Sequence, residues 1–212
     1  MQDKIEIPGY RWESAELTSA YDYLLPALLT ELDLAEIEFR GSKRIFELGC
    51  GNSSIGNILA QKGWDVSGVD PSSDGISQAN ATYPHLDLVE GYTCDDLASH
   101  YGKFPIASSL EVVVHVYALR HYVATLYSLI QTGGTAIIST LYQSYWKNCA
   151  SALTGKMDVH FTALWDHGHI KFCSTTTLSN LLQEAGFKDI RFRRVGRIPP
   201  LAKSMIAIVR KP

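Results

Sequence analysis

The sequence predicts a doubly wound α/β fold, because short apolar runs alternate with segments of helical period and a glycine-rich turn follows the first run. The apolar runs lie at residues 44–48, 64–69, 86–89, 106–110 and 135–139. Their lengths are typical of strands, and a strand–helix–strand repeat is typical of parallel strands with right-handed crossovers. Because a parallel sheet is covered on both faces, we expect helices on each side.

The helices are predicted from apolar residues that recur every three or four positions. Segments of this kind lie at residues 14–34, 53–61, 73–81, 117–130 and 175–185. Two further strands follow, at residues 188–195 and 204–209, and we expect them to pair as an antiparallel hairpin. The result is a Rossmann-like, seven-stranded, mostly parallel sheet with an antiparallel last strand, in a single domain that spans residues 1–212.

The stretch at residues 141–174 is too long for an ordinary connection inside an α/β domain. It is rich in aromatic residues and leaves from the carboxyl end of a strand, where ligands bind in this class of fold. We therefore predict an inserted, lid-like segment. The alternative is an additional helix pair that packs its aromatic residues into the core.

The composition restricts the class of partner and the compartment. With 212 residues, 46% of them hydrophobic, the chain can bury a core without disulfides or metals. The formal net charge of −3 argues against nucleic acid as a partner. Four cysteines without a C-x-x-C pair suit a reducing compartment, and no apolar run has the length of a membrane span. We expect a cytoplasmic protein whose partner is a small molecule.

The strongest local signal is the segment FELGCGNS at residues 46–53, a strand that enters a glycine turn and opens a helix. Glycines allow a tight turn close to a ligand, and a helix N-terminus offers free N–H groups. Asp70 ends the second strand about 20 residues later, where a carboxylate binds ribose hydroxyls. The alternative for Asp70 is an N-cap or Asx turn. Together the two features predict a nucleotide-like ligand.

The segments ELGCG at 47–51 and GVDPS at 68–72 resemble the first two motifs of class I S-adenosylmethionine-dependent methyltransferases. SLEVVVHV at 109–116 resembles the fourth-strand segment of the ubiquinone-type O-methyltransferases. The resemblance extends to the C-terminus and implies S-adenosylmethionine as cofactor. The residues implied to surround it are Glu47, Gly49, Cys50, Gly51, Asn52, Asp70, Pro71, Thr93, Cys94, Leu110 and Glu111.

The resemblance also gives these residues separate roles. Cys50 and Asn52 would lie near the methionine moiety, and the turn at residues 92–95 beside the adenine. Leu110 and Glu111 would lie beside the sulfonium. In some relatives a second glutamate binds a divalent metal together with the first glutamate and a histidine, but Val114 occupies its position here. Because Mg²⁺ prefers oxygen ligands, we expect no metal.

An acceptor hydroxyl must lose a proton during methylation, and histidine is the side chain best suited to accept it near neutral pH. The candidates are His115, His167 and His169, each of which has a structural role as its alternative. The activity expected is methyl transfer to a small-molecule acceptor, with oxygen as the nucleophile. The alternatives are an NAD-dependent oxidoreductase, a non-catalytic S-adenosylmethionine-binding protein, and a methyltransferase acting on protein or RNA. The C-terminal segment is locally basic, and it is either a solvated face or a surface for an anionic substrate or partner; its basic residues are Lys188, Arg191, Arg193, Arg194, Arg197 and Lys203.

Overall fold

The computed structural model describes residues 12, 14, 16, 20–39, 42–93, 95–161, 164 and 168–212. The strands are β1 (Arg44–Leu48), β2 (Asp65–Asp70), β3 (Asp87–Glu90), β4 (Phe104–Ser109), β5 (Ile130–Leu141), β6 (Lys188–Val195) and β7 (Ser204–Arg210). The helices are α1 (Tyr21–Phe39), α2 (Ser54–Gln61), α3 (Ser73–Thr82), α4 (Leu97–Tyr101), α5 (Leu119–Leu129), α6 (Tyr145–Leu153), α7 (Met157–Phe161) and α8 (Thr175–Glu184).

The seven strands form one sheet in the order β3-β2-β1-β4-β5-β7-β6. Strands β1 to β5 pair in parallel, and β7 lies antiparallel between β5 and β6. The predicted sheet and its terminal hairpin are therefore confirmed. The chain reverses its direction of winding between β1 and β4, and this switch point opens a crevice at the carboxyl ends of those two strands.

The core consists of two apolar layers, one on each face of the sheet. Helices α4, α5 and α8 cover one face with residues such as Tyr122 and Leu178. Helices α1, α2 and α3 cover the other face with residues such as Leu28, Leu59 and Ile76. The longer helices α1, α5 and α8 each bury an apolar stripe, as their sequence period predicts.

Several boundaries differ from those predicted. β5 begins at Ile130, immediately after α5, where the sequence analysis placed its start at residue 135. The predicted helix at 14–34 is helix Tyr21–Phe39 in the structure, and the buried positions along it run from Leu24 to Ala35. The apolar stripe of α1 therefore extends to a later residue than the pattern indicated. The short helix α4, whose cap is Asp96, was not predicted.

The segment at residues 141–174 contains the two helices α6 and α7. Tyr142 is buried, but Tyr145 and Trp146 are 80% and 70% exposed. The alternative that places all the aromatic residues in the core is thus wrong for Tyr145 and Trp146. The lid itself remains a prediction. Among the described helices, none combines the length and the apolar character needed to cross a bilayer.

Candidate cofactor and acceptor site

The glycine turn lies at the carboxyl end of β1, inside the crevice between β1 and β4. The N–H groups of Gly49 and Cys50 both donate to the carbonyl of Val69, at 2.8 and 3.0 Å, which binds the turn to β2. Gly49 has a φ of 82°, and a Cβ there would lie 2.4 Å from a methyl group of Val112. The position requires glycine because of both its backbone conformation and its close contact.

Asp70 holds the turn in place from the end of β2. Its Oδ2 accepts a hydrogen bond from the N–H of Gly51 at 2.8 Å, and its Oδ1 accepts one from the N–H of Ser72 at 2.9 Å. The contact with Ser72 is the predicted Asx turn, but the N-cap of α3 is Ser72 itself, whose Oγ accepts from Gly75. Asp70 therefore both forms the Asx turn and links β2 to the glycine turn.

A recess that is open to solvent lies next to this turn. Because it lies at the ends of β1 and β4, it occupies the position where ligands bind in open α/β sheets. Its lining residues are Tyr21, Glu47, Gly49, Cys50, Ile55, Ser108 and Leu110. Four of these residues were predicted, whereas Tyr21, Ile55 and Ser108 were not.

Glu47 lines the recess, and the carboxyl groups of Asp70 and Glu111 lie near Tyr21, which also lines it. Glu47 is buried and accepts a hydrogen bond from Ser53 Oγ at 3.1 Å. Burial raises the pKa of Tyr21, and the charges of Glu47, Glu111 and Asp70 raise it further, which places all three near its phenol. None of the three carboxylates forms an ion pair within the described part of the chain. This environment favours a ligand that carries positive charge.

Burial raises the pKa of Glu47 to about 7, although the hydrogen bond from Ser53 opposes the shift. A carboxyl group whose pKa is higher in the folded than in the unfolded state favours folding in its protonated form. This contribution to stability is complete below the unfolded-state pKa and is lost as the pH rises through the folded-state pKa. We therefore expect Glu47→Gln to raise the free energy of unfolding of the ligand-free protein at pH 8, relative to wild type. The gain at pH 8 is expected to exceed that at pH 4.5 by up to about 3 kcal/mol. Urea unfolding at both pH values measures this difference. A pH-independent difference would contradict it.

A segment that the sequence analysis did not associate with the site covers the glycine turn. We call Trp12, Ser14 and Glu16 the N-terminal strap. The side-chain amide of Asn52 donates to the carbonyls of Ser14 and Glu16 at 2.8 and 3.0 Å. The amide of Gln78, on α3, donates to the carbonyl of Trp12 at 2.6 Å. The Asn52 side chain thus binds the strap, and its predicted position near the methionine moiety remains a prediction.

The Trp12 ring lies against two glycines. A Cβ at Gly51 would lie 2.3 Å from the ring, and one at Gly75 would lie 2.7 Å from it. We expect Gly51→Ala to destabilise the protein by about 1 to 3 kcal/mol more than Gly102→Ala, because overpacking adds to the backbone strain. Gly102 is a matched control, since its φ is also positive, at 78°, but no atom lies within 4 Å of its Cβ position. Equal losses in chemical denaturation would refute the contact.

The remaining predicted cofactor residues lie at the same edge. Pro71 follows β2 and is partly buried, and Thr93 is partly buried in the turn after β3. The carboxylate of Asp95 closes that turn by accepting a hydrogen bond from the N–H of Tyr92 at 2.7 Å. Cys94 lies outside the described residues.

Glu111 follows β4, and its position beside the sulfonium remains a prediction. Its φ of 58° is rare for a residue with a side chain. Its N–H donates to Ser139 Oγ at 2.8 Å, and the Ser139 hydroxyl donates to Glu111 Oε1 at 2.8 Å. Burial raises the pKa of Glu111, whereas hydrogen bonds from Ser139 and Ser204 and the charge of Lys147 lower it. These contacts fix the carboxyl group at the edge of β5 and β7.

Two of the three candidate histidines lie side by side. The ring centroids of His115 and His169 are 5.1 Å apart, and Nδ1 of His115 lies 3.3 Å from the carbonyl oxygen of Gly168. The N–H groups of Ile170 and Lys171 donate to the carbonyl of Val114 at 2.7 and 3.1 Å, which holds the two chain segments together. His167 lies outside the described residues. Among the side chains that are described, no group of three or more His, Cys, Asp or Glu could hold a metal ion.

Comparison with known proteins agrees with this arrangement. The family described as "Methyltransferase domain" matches residues 17–191. A ubiquinone biosynthesis O-methyltransferase from Cereibacter sphaeroides is 28% identical over 80% of this chain and 70% of its own length. One from Burkholderia pseudomallei is 23% identical, over 92% and 85%.

The fold also matches solved structures. Magnesium protoporphyrin IX methyltransferase from Synechocystis PCC 6803, solved with bound S-adenosylhomocysteine, aligns with a TM-score of 0.63 at 18% identity, over 88% of this chain and 83% of that one. An S-adenosylmethionine-dependent methyltransferase from Archaeoglobus fulgidus aligns with a TM-score of 0.65 at 16% identity, over 89% and 93%. The predicted resemblance is confirmed: the chain belongs to the methyltransferase-domain family and is a class I S-adenosylmethionine-dependent methyltransferase.

Proposed function

We propose that the protein transfers the methyl group of S-adenosylmethionine to an oxygen atom of a small-molecule acceptor. The observation that carries the proposal is the glycine turn held by Asp70, with the carboxyl groups of Glu47, Asp70 and Glu111 grouped near Tyr21. The relatives that act in ubiquinone biosynthesis are O-methyltransferases, which supports oxygen as the nucleophile.

The recess suits this cofactor in charge. Its carboxyl groups form no ion pair among the described residues, and S-adenosylmethionine carries a positive sulfonium, from which the methyl group is transferred, together with an ammonium. In the proposed complex Asp70 accepts hydrogen bonds from the ribose hydroxyls, and Glu47 lies beneath the methionine moiety. Leu110 and Glu111 flank the reacting methyl group. The chain contributes mainly alignment and exclusion of water, since the displacement has a good leaving group.

Removal of the acceptor's proton is assigned to the histidine pair. His115 lies in a 3-10 turn directly after β4, and the chain around Gly168 places His169 beside it. Either neutral imidazole can accept a proton from a bound hydroxyl, which raises the nucleophilicity of the oxygen. His167, two residues from His169, remains a third candidate.

The ion pairs formed by the basic strand β6 favour a small-molecule acceptor over nucleic acid. Arg191 and Arg193 form ion pairs with the buried Glu31 of α1, at 3.2 and 3.6 Å. These two side chains are therefore partly neutralised within the fold. Strand β6 therefore offers fewer free cations to a phosphate backbone than its sequence indicates, and the formal net charge of −3 also argues against such a partner.

We propose that residues 141–174 act as a lid that closes when the site is filled. In the described part of this segment, α6 buries none of its side chains. Hydrogen exchange is expected to slow in this segment when S-adenosylhomocysteine is added, and to slow further with an acceptor, because closure excludes water. Equal exchange in all three states would show a fixed segment without a lid function.

The proposed function is tested by transfer of a tritiated methyl group from S-adenosylmethionine to a panel of phenols, catechols and aromatic amines. Labelling of the hydroxyl compounds is expected. Labelling of the amines alone would refute oxygen as the nucleophile. Cofactor binding without turnover on any compound would favour the non-catalytic alternative. Quenching of the protein's fluorescence by NADH, without a response to S-adenosylhomocysteine, would favour the oxidoreductase.

A further inference from the structure

A group of positive side chains lies where α6 meets the β6–β7 hairpin, and one of them, Lys147, interacts with Glu111. We call Lys147, Arg194, Arg197 and Lys203 the cationic rim. Lys147 is on α6, and the other three belong to the β6–β7 hairpin. Helix α6 packs against this hairpin at the 3-10 turn Pro199–Leu201, where Ser144 Oγ donates to the carbonyl of Pro200 at 3.4 Å.

Lys147 connects the rim to the acceptor side of the site. Its ammonium donates to the carbonyls of Tyr142 and Lys203, at 2.9 and 3.5 Å, which leaves it one further N–H. Burial lowers the pKa of Lys147, and the charge of Arg197 lowers it further, whereas the charge of Glu111 opposes both. The ammonium therefore lies between one positive group and one carboxyl group.

The other members of the rim also lack carboxylate partners. The guanidinium of Arg194 lies 4.9 Å from the ring centroid of Tyr142, and the ammonium of Lys203 lies 5.1 Å from that of Tyr23. Across the described ranges, the ion pairs within 4.0 Å include no residue of the rim. The four positive groups therefore have no carboxylate partner within ion-pair distance among the described residues, and Lys147 is the member whose charge interacts with that of Glu111. This contrasts with Arg191 and Arg193 on the same strand, which share Glu31.

We propose that the cationic rim binds a carboxylate carried by the methyl acceptor, with Lys147 and Arg197 as its direct ligands. The inference rests on the proposed function and specifies its class of substrate. Arginine binds a carboxylate through two parallel N–H groups, and the free N–H of Lys147 adds a third donor.

The site then has an acidic part and a basic part, which suit two ligands of opposite charge. The carboxyl groups around the recess suit the positive end of the cofactor, and the rim suits a negative group at the far end of the acceptor. A bound carboxylate also reduces the repulsion between Lys147 and Arg197, which a neutral acceptor leaves in place. Binding at the rim holds the acceptor so that its hydroxyl points back towards Glu111 and the histidine pair.

The test compares benzoate with benzyl alcohol, which have similar shapes but different charges, by calorimetry on protein saturated with S-adenosylhomocysteine. Benzoate is expected to bind at least about tenfold more tightly, and the preference is expected to fall at 0.5 M salt because salt screens exposed charges. Lys147→Met and Arg197→Met are each expected to weaken benzoate binding about tenfold and to leave benzyl alcohol binding unchanged. Lys156→Met, an exposed lysine outside the rim, is the matched control.

Equal binding of the two compounds, no binding of benzoate, or an unchanged preference in the Arg197 variant would overturn the proposal. The Arg197 variant is decisive if Lys147→Met unfolds, since Arg197 is exposed and its loss breaks no hydrogen bond described above. The measurement requires no methyl transfer. A protein that binds S-adenosylhomocysteine but not benzoate would disprove the rim while leaving the proposed function intact, whereas failure to bind S-adenosylhomocysteine would count against the proposed function itself.

Discussion

Replacing Asp70 with Ala is expected to weaken the binding of S-adenosylhomocysteine by about 1 to 3 kcal/mol, or roughly 5- to 150-fold in Kd. The variant loses the acceptor for the ribose hydroxyls. It also leaves the N–H groups of Gly51 and Ser72 without the carboxylate that now accepts from them. Isothermal titration calorimetry measures the loss, and thermal unfolding shows whether the variant is folded.

Asp74→Ala is the matched control for this prediction, because Asp74 is an exposed aspartate in the first turn of α3. It is expected to bind S-adenosylhomocysteine as wild type does. A folded Asp70→Ala variant with unchanged affinity would show that the end of β2 does not bind the ribose.

Replacing the histidine proposed as the general base with Ala is expected to lower kcat by about 100-fold or more, with little change in the affinity for S-adenosylhomocysteine. His115→Ala and His169→Ala are the two variants to compare, since their rings lie 5.1 Å apart. Loss of a general base removes an interaction made during proton transfer, so the effect is on turnover and not on cofactor binding. Steady-state kinetics with an acceptor found in the methyl-transfer panel measures it.

His121→Ala is the control, because His121 is exposed on α5. The pH profile separates a catalytic role from a structural one. Loss of a general base is expected to remove the acidic limb of the profile of kcat, whereas a packing defect would lower kcat at all pH values alike. Wild-type kcat in both His115→Ala and His169→Ala would exclude this pair as the base.

Local patterns in the sequence were sufficient to predict the sheet and the glycine turn. Strand β1 occupies the predicted residues, because a strand buried on both faces reads as a continuous apolar run. The spacing between Gly49 and Asp70 also has a local cause, since one helix and one strand separate them and parallel pairing brings their ends together. The boundaries of α1 were predicted less well, because its apolar stripe extends beyond the residues that showed the clearest period.

The partners that cover the site were not predictable, because they come from distant parts of the chain. Tyr21 lines the recess from α1, and the carbonyls of the strap reach Asn52 across more than thirty residues. The cationic rim also depends on tertiary structure, since α6 and the β6–β7 hairpin are about fifty residues apart. The sequence shows that strand β6 is basic. Which of its arginines form ion pairs depends on the position of Glu31 in the folded chain.

The central claim is that S-adenosylmethionine binds at the carboxyl ends of β1, β2 and β4, with its methyl group facing Glu111 and the histidine pair. A crystal structure of the protein with S-adenosylhomocysteine tests this most directly. The account predicts that the ribose hydroxyls bind Asp70 and that the sulfur lies beside Leu110 and Glu111, with open space towards the cationic rim. A ligand bound elsewhere, or one whose sulfur points away from Glu111, would contradict it.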